Sequence, residues 1–105
     1  MAKDSDKTKD FEELQIIQQN LQNILMQKQA FQYELTETES ALNEIKNSKD
    51  DVYKIVGQLM LRSPKDSIVE ELSNREKLLK IRLESLQKQE DKLSNKLQEL
   101  QEKLM

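Results

Sequence analysis

Apolar residues recur at alternating spacings of three and four along two long stretches of this chain. In the first stretch they are Leu14, Ile17, Leu21, Ile24, Phe31, Leu35, Leu42 and Ile45. In the second they are Val69, Leu72, Leu79, Leu83, Leu86, Leu93, Leu97, Leu100 and Leu104. Such spacing keeps one apolar seam along a whole helix. The pattern therefore predicts helices over about residues 11–46 and 64–105, each roughly 55–60 Å long.

The pattern changes between the two helices. The stretch from Val52 to Ser63 is rich in β-branched and aromatic residues, and the chain's one glycine, Gly57, interrupts it near the middle. This favours two short strands, about 52–56 and 59–62, that turn at Gly57-Gln58. Gly57 supplies backbone angles that other residues resist. The predicted fold class is mainly α, an antiparallel two-helix coiled-coil hairpin with one short β-hairpin joining the helices.

A two-stranded hairpin is marginally stable by itself, and its unpaired edges invite pairing with another chain. The sequence therefore predicts oligomerisation through the joint. The predicted assembly residues are Val52, Tyr53, Ile55, Val56, Gly57, Leu59, Met60 and Leu61.

The two helices are too thin to have separate cores, so we expect them to pair with each other. An antiparallel register in which the numbers of paired residues sum to 114 closes ten consecutive layers, from Leu14 with Leu100 to Ile45 with Val69. Lys28, Thr38, Glu76 and Glu90 also fall on the seam. Lys28 and Glu90 lie in adjacent layers and could form a diagonal ion pair. Long polar side chains here either reach out to solvent or fix the register.

Composition narrows the function. The chain has 105 residues and a net charge of −3, with 35% charged residues, 4% aromatic residues, and neither His nor Cys. An enzyme is excluded in practice, because imidazole, thiolate and a glycine-rich phosphate loop are all missing. We expect no cofactor or metal. We also expect no nucleic-acid partner, because residues 1–50 carry 6 basic and 10 acidic side chains and residues 51–105 carry 11 and 10, which is not the basic surplus that phosphate neutralisation requires. Residues 1–10 lack an apolar signal segment and read as a disordered tail before a coiled-coil domain at 11–105. With no apolar run that could span a membrane, a cytoplasmic location is expected.

Apolar residues outside the seam collect near the chain ends. Phe11 and Ile16 are predicted to approach Leu104 and Met105, where the coiled coil frays. With the terminal seam residues, the predicted apolar tip comprises Phe11, Leu14, Ile16, Leu100, Leu104 and Met105.

The combination of two heptad helices with the motif Tyr53-Lys54-Ile55-Val56-Gly57-Gln58-Leu59-Met60-Leu61 resembles the β-type subunit of prefoldin. The segments Leu25-Met26-Gln27-Lys28-Gln29 and Leu83-Glu84-Ser85-Leu86-Gln87-Lys88-Gln89-Glu90 share the likeness. It covers about residues 11–105. The α-type subunit carries two hairpins between its helices, whereas this chain has room for one.

The resemblance implies a heterohexamer of two α-type and four β-type subunits. Their hairpins would form a platform, and their coiled-coil tips would hold unfolded clients and pass them to a group II chaperonin without ATP. The apolar tip would then be the client-binding site. The alternative is a structural or tethering coiled-coil scaffold, which explains the heptads but gives no reason for the β joint.

Overall fold

A computed structural model describes the backbone of residues 2–105 and the side chains of residues 7–105. Helix α1 spans Ala2–Asn47, strands β1 and β2 span Val52–Val56 and Leu59–Ser63, and helix α2 spans Lys65–Leu104. The strands form one antiparallel two-stranded sheet. The predicted fold class is confirmed.

Helix α1 begins well before the predicted start at Phe11. The structure gives residues 2–10 as helix, so the predicted disordered tail is wrong there, and Met1 lies outside the described residues. No Gly or Pro precedes Gly57 in the sequence, and a formed helix extends at little cost per added residue. The half-buried Asp10 also forms an ion pair with Lys103 on α2, at 3.2 Å.

Helix α2 begins one residue after the predicted start at Pro64, whose carbonyl accepts a hydrogen bond from the Ile68 amide at 3.2 Å. Ser63, a serine directly before a proline, is of the residue type that favours the cap position of a helix. Instead it ends β2, and its hydroxyl donates to the Leu61 carbonyl at 3.4 Å. The strand ladder continues through Ser63, which pairs with Val52, and so takes the residue that would have capped the helix.

The β-hairpin has a two-residue turn. Val56 pairs with Leu59, which leaves Gly57 and Gln58 as the loop. Gly57 has a φ of 62° and is the one residue with positive φ in the described chain. Positive φ at the first loop position is typical of a type II′ turn, where glycine is favoured. A Cβ at Gly57 would meet nothing within 4 Å, so the glycine is required by backbone angle and not by space.

The chain divides into two compact units. Unit 1 combines the chain up to Ala30 with Leu83–Met105, and unit 2 is Phe31–Arg82. Both contain a stretch of α1 against a stretch of α2, and all the buried side chains among residues 7–105 lie on the predicted seam. They are Ile17, Ile24, Leu86 and Leu100 in unit 1, and Leu35, Thr38, Leu42 and Leu79 in unit 2.

Polar contacts in unit 2 border this seam. Arg75 on α2 lies 3.5 Å from the Glu34 carboxylate on α1, and the Arg82 guanidinium lies 5.6 Å from the centre of the Phe31 ring. The buried Thr38 hydroxyl donates to the Glu34 carbonyl at 2.8 Å, one turn earlier on its own helix. Thr38 thus satisfies its hydroxyl locally instead of across the seam.

Lys65 joins the two helix ends in unit 2. Its ammonium donates to the Ser48 carbonyl at 2.9 Å and to the Lys46 carbonyl at 3.4 Å. The Lys46 carbonyl lies in the last turn of α1 and the Ser48 carbonyl directly follows the helix, where a positive charge is favoured by the helix dipole. Lys65 therefore fixes the point at which the chain leaves one helix and enters the other.

Candidate functional site

An apolar groove lies between the two helices near the chain ends in unit 1. Its volume is about 490 Å³, and we call it the tip groove. It is lined by Phe11, Leu14, Gln101, Leu104 and Met105. Four of its five lining residues are therefore apolar and open to solvent.

The tip groove contains four of the six residues predicted for the apolar tip. Phe11 is 54% exposed and Met105 99% exposed, while Leu14 and Leu104 are half-buried. Ile16 is exposed but does not line the groove. Leu100 is buried, at 7% exposure, and does not line the groove.

Sequence reasoning missed Gln101 as a lining residue because it is polar and off the seam. Its position directly after the buried Leu100 was the available signal, since the residue next to a seam position lies on its flank. Its amide gives the groove one neutral hydrogen-bonding group among apolar side chains.

Ion pairs between α1 and α2 border the groove. Lys103 pairs with Asp10 at 3.2 Å, and Lys96 with Glu13 at 2.7 Å. The pKa of Lys96 is raised, first because its ammonium donates a hydrogen bond to Glu13 and second because the two charges attract. These pairs hold the two helices together beside the groove.

A third cross-helix ion pair lies on the seam of unit 1. Lys28 donates to the Glu90 carboxylate at 2.7 Å and to the Gln87 side-chain oxygen at 2.8 Å. The side chains of Lys28 and Glu90 are 25% and 32% exposed. The structure brings together the two residues predicted to pair, and their role in selecting the register stays a prediction.

The predicted assembly surface is the β-hairpin, and its strand residues are accessible on both faces. The pairing of Ile55 with Met60 and of Tyr53 with Arg62 places these four on one face. Val56, Leu59 and Leu61 lie on the other face. Exposure of the six large apolar side chains runs from 48% at Leu61 to 69% at Ile55.

Two ion pairs tie this hairpin to the rest of unit 2. Lys54 on β1 contacts Glu71 on α2 at 3.0 Å, and Arg62 on β2 contacts Asp51 at 3.0 Å. The hairpin is thereby anchored while its apolar side chains remain uncovered. Exposed strand edges with apolar faces are suited to pairing with further strands.

Residues 2–105 contain no helix that is long and apolar enough to span a bilayer. Among residues 7–105, whose side chains are described, no cluster of His, Cys, Asp and Glu is arranged to hold a metal ion.

The chain is similar in sequence to known proteins over most of its length. The family model for prefoldin subunits matches residues 8–105. Prefoldin subunit beta of Thermococcus kodakarensis is 47% identical over 90 residues, which cover 84% of this chain and 77% of that protein. The Pyrococcus horikoshii prefoldin subunit beta is 39% identical over 94 residues, covering 88% and 80%.

Solved structures show the same relationship. The prefoldin beta subunit from Thermococcus strain KS-1 aligns with a TM-score of 0.87 and 42% identity, over 94% of this chain and 89% of that one. The beta2 subunit of the same strain aligns with a TM-score of 0.73 and 24% identity, over 83% and 95%, and so shares the fold. The extent of the family match, the identity to subunits named beta and the shared helix–hairpin–helix fold together show that this chain belongs to the prefoldin subunit family of chaperones, as a subunit of the beta type.

Proposed function

We propose that this chain is an ATP-independent holdase subunit that binds unfolded proteins at its tip groove and releases them to a group II chaperonin. The observation that carries the proposal is the tip groove itself, whose apolar lining is accessible on a chain that is otherwise 35% charged. A tethering scaffold has no use for an open apolar groove, so this feature favours the chaperone.

The size of the groove fits reversible holding. Burying roughly 200 Å² of apolar surface gives about 5 kcal/mol before the costs of ordering the client. One groove is thus too weak to trap a client permanently. Several grooves acting on one unfolded chain raise the affinity through effective concentration, which calls for an assembly.

We propose that the assembly forms through the β-hairpins, as a hexamer of two α-type and four β-type subunits in the cytoplasm. The support is that Tyr53, Ile55 and Met60 are uncovered on one hairpin face while Val56 and Leu59 are uncovered on the other. A neighbouring strand could cover these side chains and satisfy the free backbone groups at the edge. No enzymatic step is required for holding or release.

The function is tested by the triple variant Phe11→Ser, Leu104→Ser and Met105→Ser in the assembled oligomer. Aggregation of reduced, unfolded lysozyme is followed by light scattering. We expect the variant to lose suppression of aggregation while mass measurement shows an unchanged oligomer, because the hairpin is untouched.

The matched control replaces three exposed apolar residues of unit 2 with serine: Tyr33, Leu78 and Ile81. This control should protect lysozyme as well as the parent does. Equal protection by the tip variant would place holding elsewhere on the oligomer. If the parent itself gives no protection to any unfolded client, the scaffold alternative is favoured.

A further inference from the structure

The helix surface beyond the tip groove has an unusual composition. Residues 14–27 of α1 contain no Asp, Glu, Lys or Arg, in a chain with 35% charged residues. The outward positions of a coiled-coil helix normally carry Glu and Lys. Here Gln and Asn occupy them instead, alongside exposed apolar residues such as Leu25 and Met26.

A second groove of about 340 Å³ lies on this uncharged stretch in unit 1. It is lined by Gln18, Leu21, Gln22, Leu25, Glu90 and Ser94. Glu90 is the one charged member, and its carboxylate is neutralised by the Lys28 ammonium at 2.7 Å. The lining therefore offers apolar surface and amide groups but no free charge.

The two grooves lie on one stripe of α1. Phe11, Leu14, Gln18, Leu21 and Leu25 follow one another at spacings of three and four residues, which places them on one side of the helix. Fourteen residues of helix rise over roughly 21 Å. An extended polypeptide covers that distance with about six residues.

We propose that the second groove, which we call the flank groove, binds an extended, uncharged segment of an unfolded client and continues the contact that begins at the tip groove. The inference rests on the proposed holdase function and names the class of segment held. Leu21 and Leu25 contact apolar client side chains. The amides of Gln18 and Gln22 both donate and accept hydrogen bonds, so they pair with the backbone of a client whatever its sequence.

Charge decides which client segments fit. A charged client side chain placed in the flank groove would lose hydration without gaining a free counter-charge. Segments rich in apolar and neutral polar residues avoid this loss. Such segments are also those most prone to aggregate once exposed, so the selectivity suits a holdase.

The test uses Gln22→Lys in the assembled oligomer, with Gln19→Lys as the matched control. Both glutamines are exposed on α1, but only Gln22 lines the groove. Binding of a short peptide of Val, Leu, Gln and Ser, blocked at its C-terminus and carrying an uncharged dansyl label at its N-terminus, is measured by anisotropy. A second peptide carries two central Gln→Glu changes.

We expect Gln22→Lys to weaken binding of the neutral peptide about tenfold and to improve binding of the Glu-containing peptide, because the added ammonium must be desolvated or paired. Gln19→Lys should leave both affinities within about twofold of the parent. Leu25→Asn, which adds no charge, should also weaken the neutral peptide, since apolar contact is lost. The parent's affinity for the neutral peptide should change little between low and high salt.

Two results would overturn the flank groove. One is equal peptide affinity in Gln22→Lys and Gln19→Lys, and the other is parental binding of the neutral peptide that collapses in high salt. Failure here is separable from failure of the holdase function. If the Phe11, Leu104 and Met105 variant loses protection while Gln22→Lys binds as the parent does, the tip groove acts alone.

Discussion

The Lys28–Glu90 pair offers a direct measure of how the helix register is selected. The ammonium lies 2.7 Å from the carboxylate and also donates to Gln87 at 2.8 Å. A shift of one helix by a turn relative to the other would separate these charges by about 5.4 Å. The perturbation is a double-mutant cycle of Lys28→Met, Glu90→Gln and the two together.

The expected coupling follows from distance and exposure. Unit charges 4 Å apart attract by about 1 kcal/mol in water and about 4 kcal/mol near a protein surface, before desolvation is subtracted. Because both side chains keep a quarter to a third of their exposure, part of that attraction is screened. We expect a coupling of about 1 kcal/mol, at the upper end for accessible pairs. In a chain of this size, about 1 kcal/mol corresponds to roughly 4–8 °C in Tm.

Each single substitution should lower the free energy of unfolding by about this coupling energy and no more, because the charge that remains can still reach water. Methionine at position 28 recovers part of the loss through better packing in the seam, and Leu at either position should do so more fully. Exchanging the two charges, Lys28→Glu with Glu90→Lys, should be close to neutral. The double variant should be less damaged than the sum of the singles.

The assay is equilibrium thermal unfolding followed by circular dichroism at low and high salt. The control cycle uses Glu84 and Lys88 on α2, a pair 3.5 Å apart whose side chains are 70% and 75% exposed. That pair should couple by no more than about 0.5 kcal/mol. Strict additivity at Lys28 and Glu90, or a coupling no larger than the control's, would refute a role in selecting the register.

Three further outcomes follow from the structure. Gly57→Val should dissociate the oligomer in size-exclusion chromatography with helicity retained, because a β-branched residue resists positive φ. Gln58→Val is the control and should assemble normally, because Gln58 has an ordinary φ. An intact Gly57→Val oligomer would contradict the role of the turn. Leu79→Ala should lower the free energy of unfolding by about 2–5 kcal/mol in denaturant unfolding, since Leu79 is 2% exposed. Leu78→Ala should lower it by under about 1 kcal/mol, since Leu78 is half-exposed. Equal losses would mean that the seam is misplaced. The raised pKa of Lys96 predicts that its ion pair contributes fully below the ordinary value of 10.5 and is lost as pH rises through the raised value, so Lys96→Met should remove that part of the alkaline decline in Tm.

The helices and the turn were predictable because single physical rules decide them. An apolar heptad seam is buried by packing against a second such seam, and every buried side chain of the described chain lies on the predicted seam. Gly57 was predictable for a similar reason, since a two-residue loop between β-rich segments demands positive φ. The ion pair of Lys28 with Glu90 followed from the same register.

Errors arose where two rules competed. Polar composition at residues 2–10 indicated disorder, but helix propagation prevails there. Ser63 is suited both to a helix cap and to a strand end, and its pairing with Val52 makes it the last residue of β2. Leu100 was placed at an exposed tip because of its position near the chain end, yet its side chain is 7% exposed.

The grooves could be predicted only in part. The uncharged run at residues 14–27 is visible in the sequence, whereas a concave surface depends on neighbouring side chains of α2. Ser94 and Gln101 are contributed by that second helix, and the pattern of apolar residues includes neither of them. Periodicity therefore identifies the buried positions well and the accessible ones poorly.

The long separation between paired residues affects how this chain emerges from the ribosome. Lys65 and Ser48 are separated by 17 residues in the sequence, whereas Lys28 and Glu90 are separated by 62. Lys28 therefore has no partner until those further 62 residues have been synthesised. At about 5–20 residues per second, that interval lasts roughly 3–12 s. Throughout it the seam residues Ile17 and Ile24 have no partner helix, so the nascent subunit is for a time the same kind of uncovered apolar chain that a holdase binds.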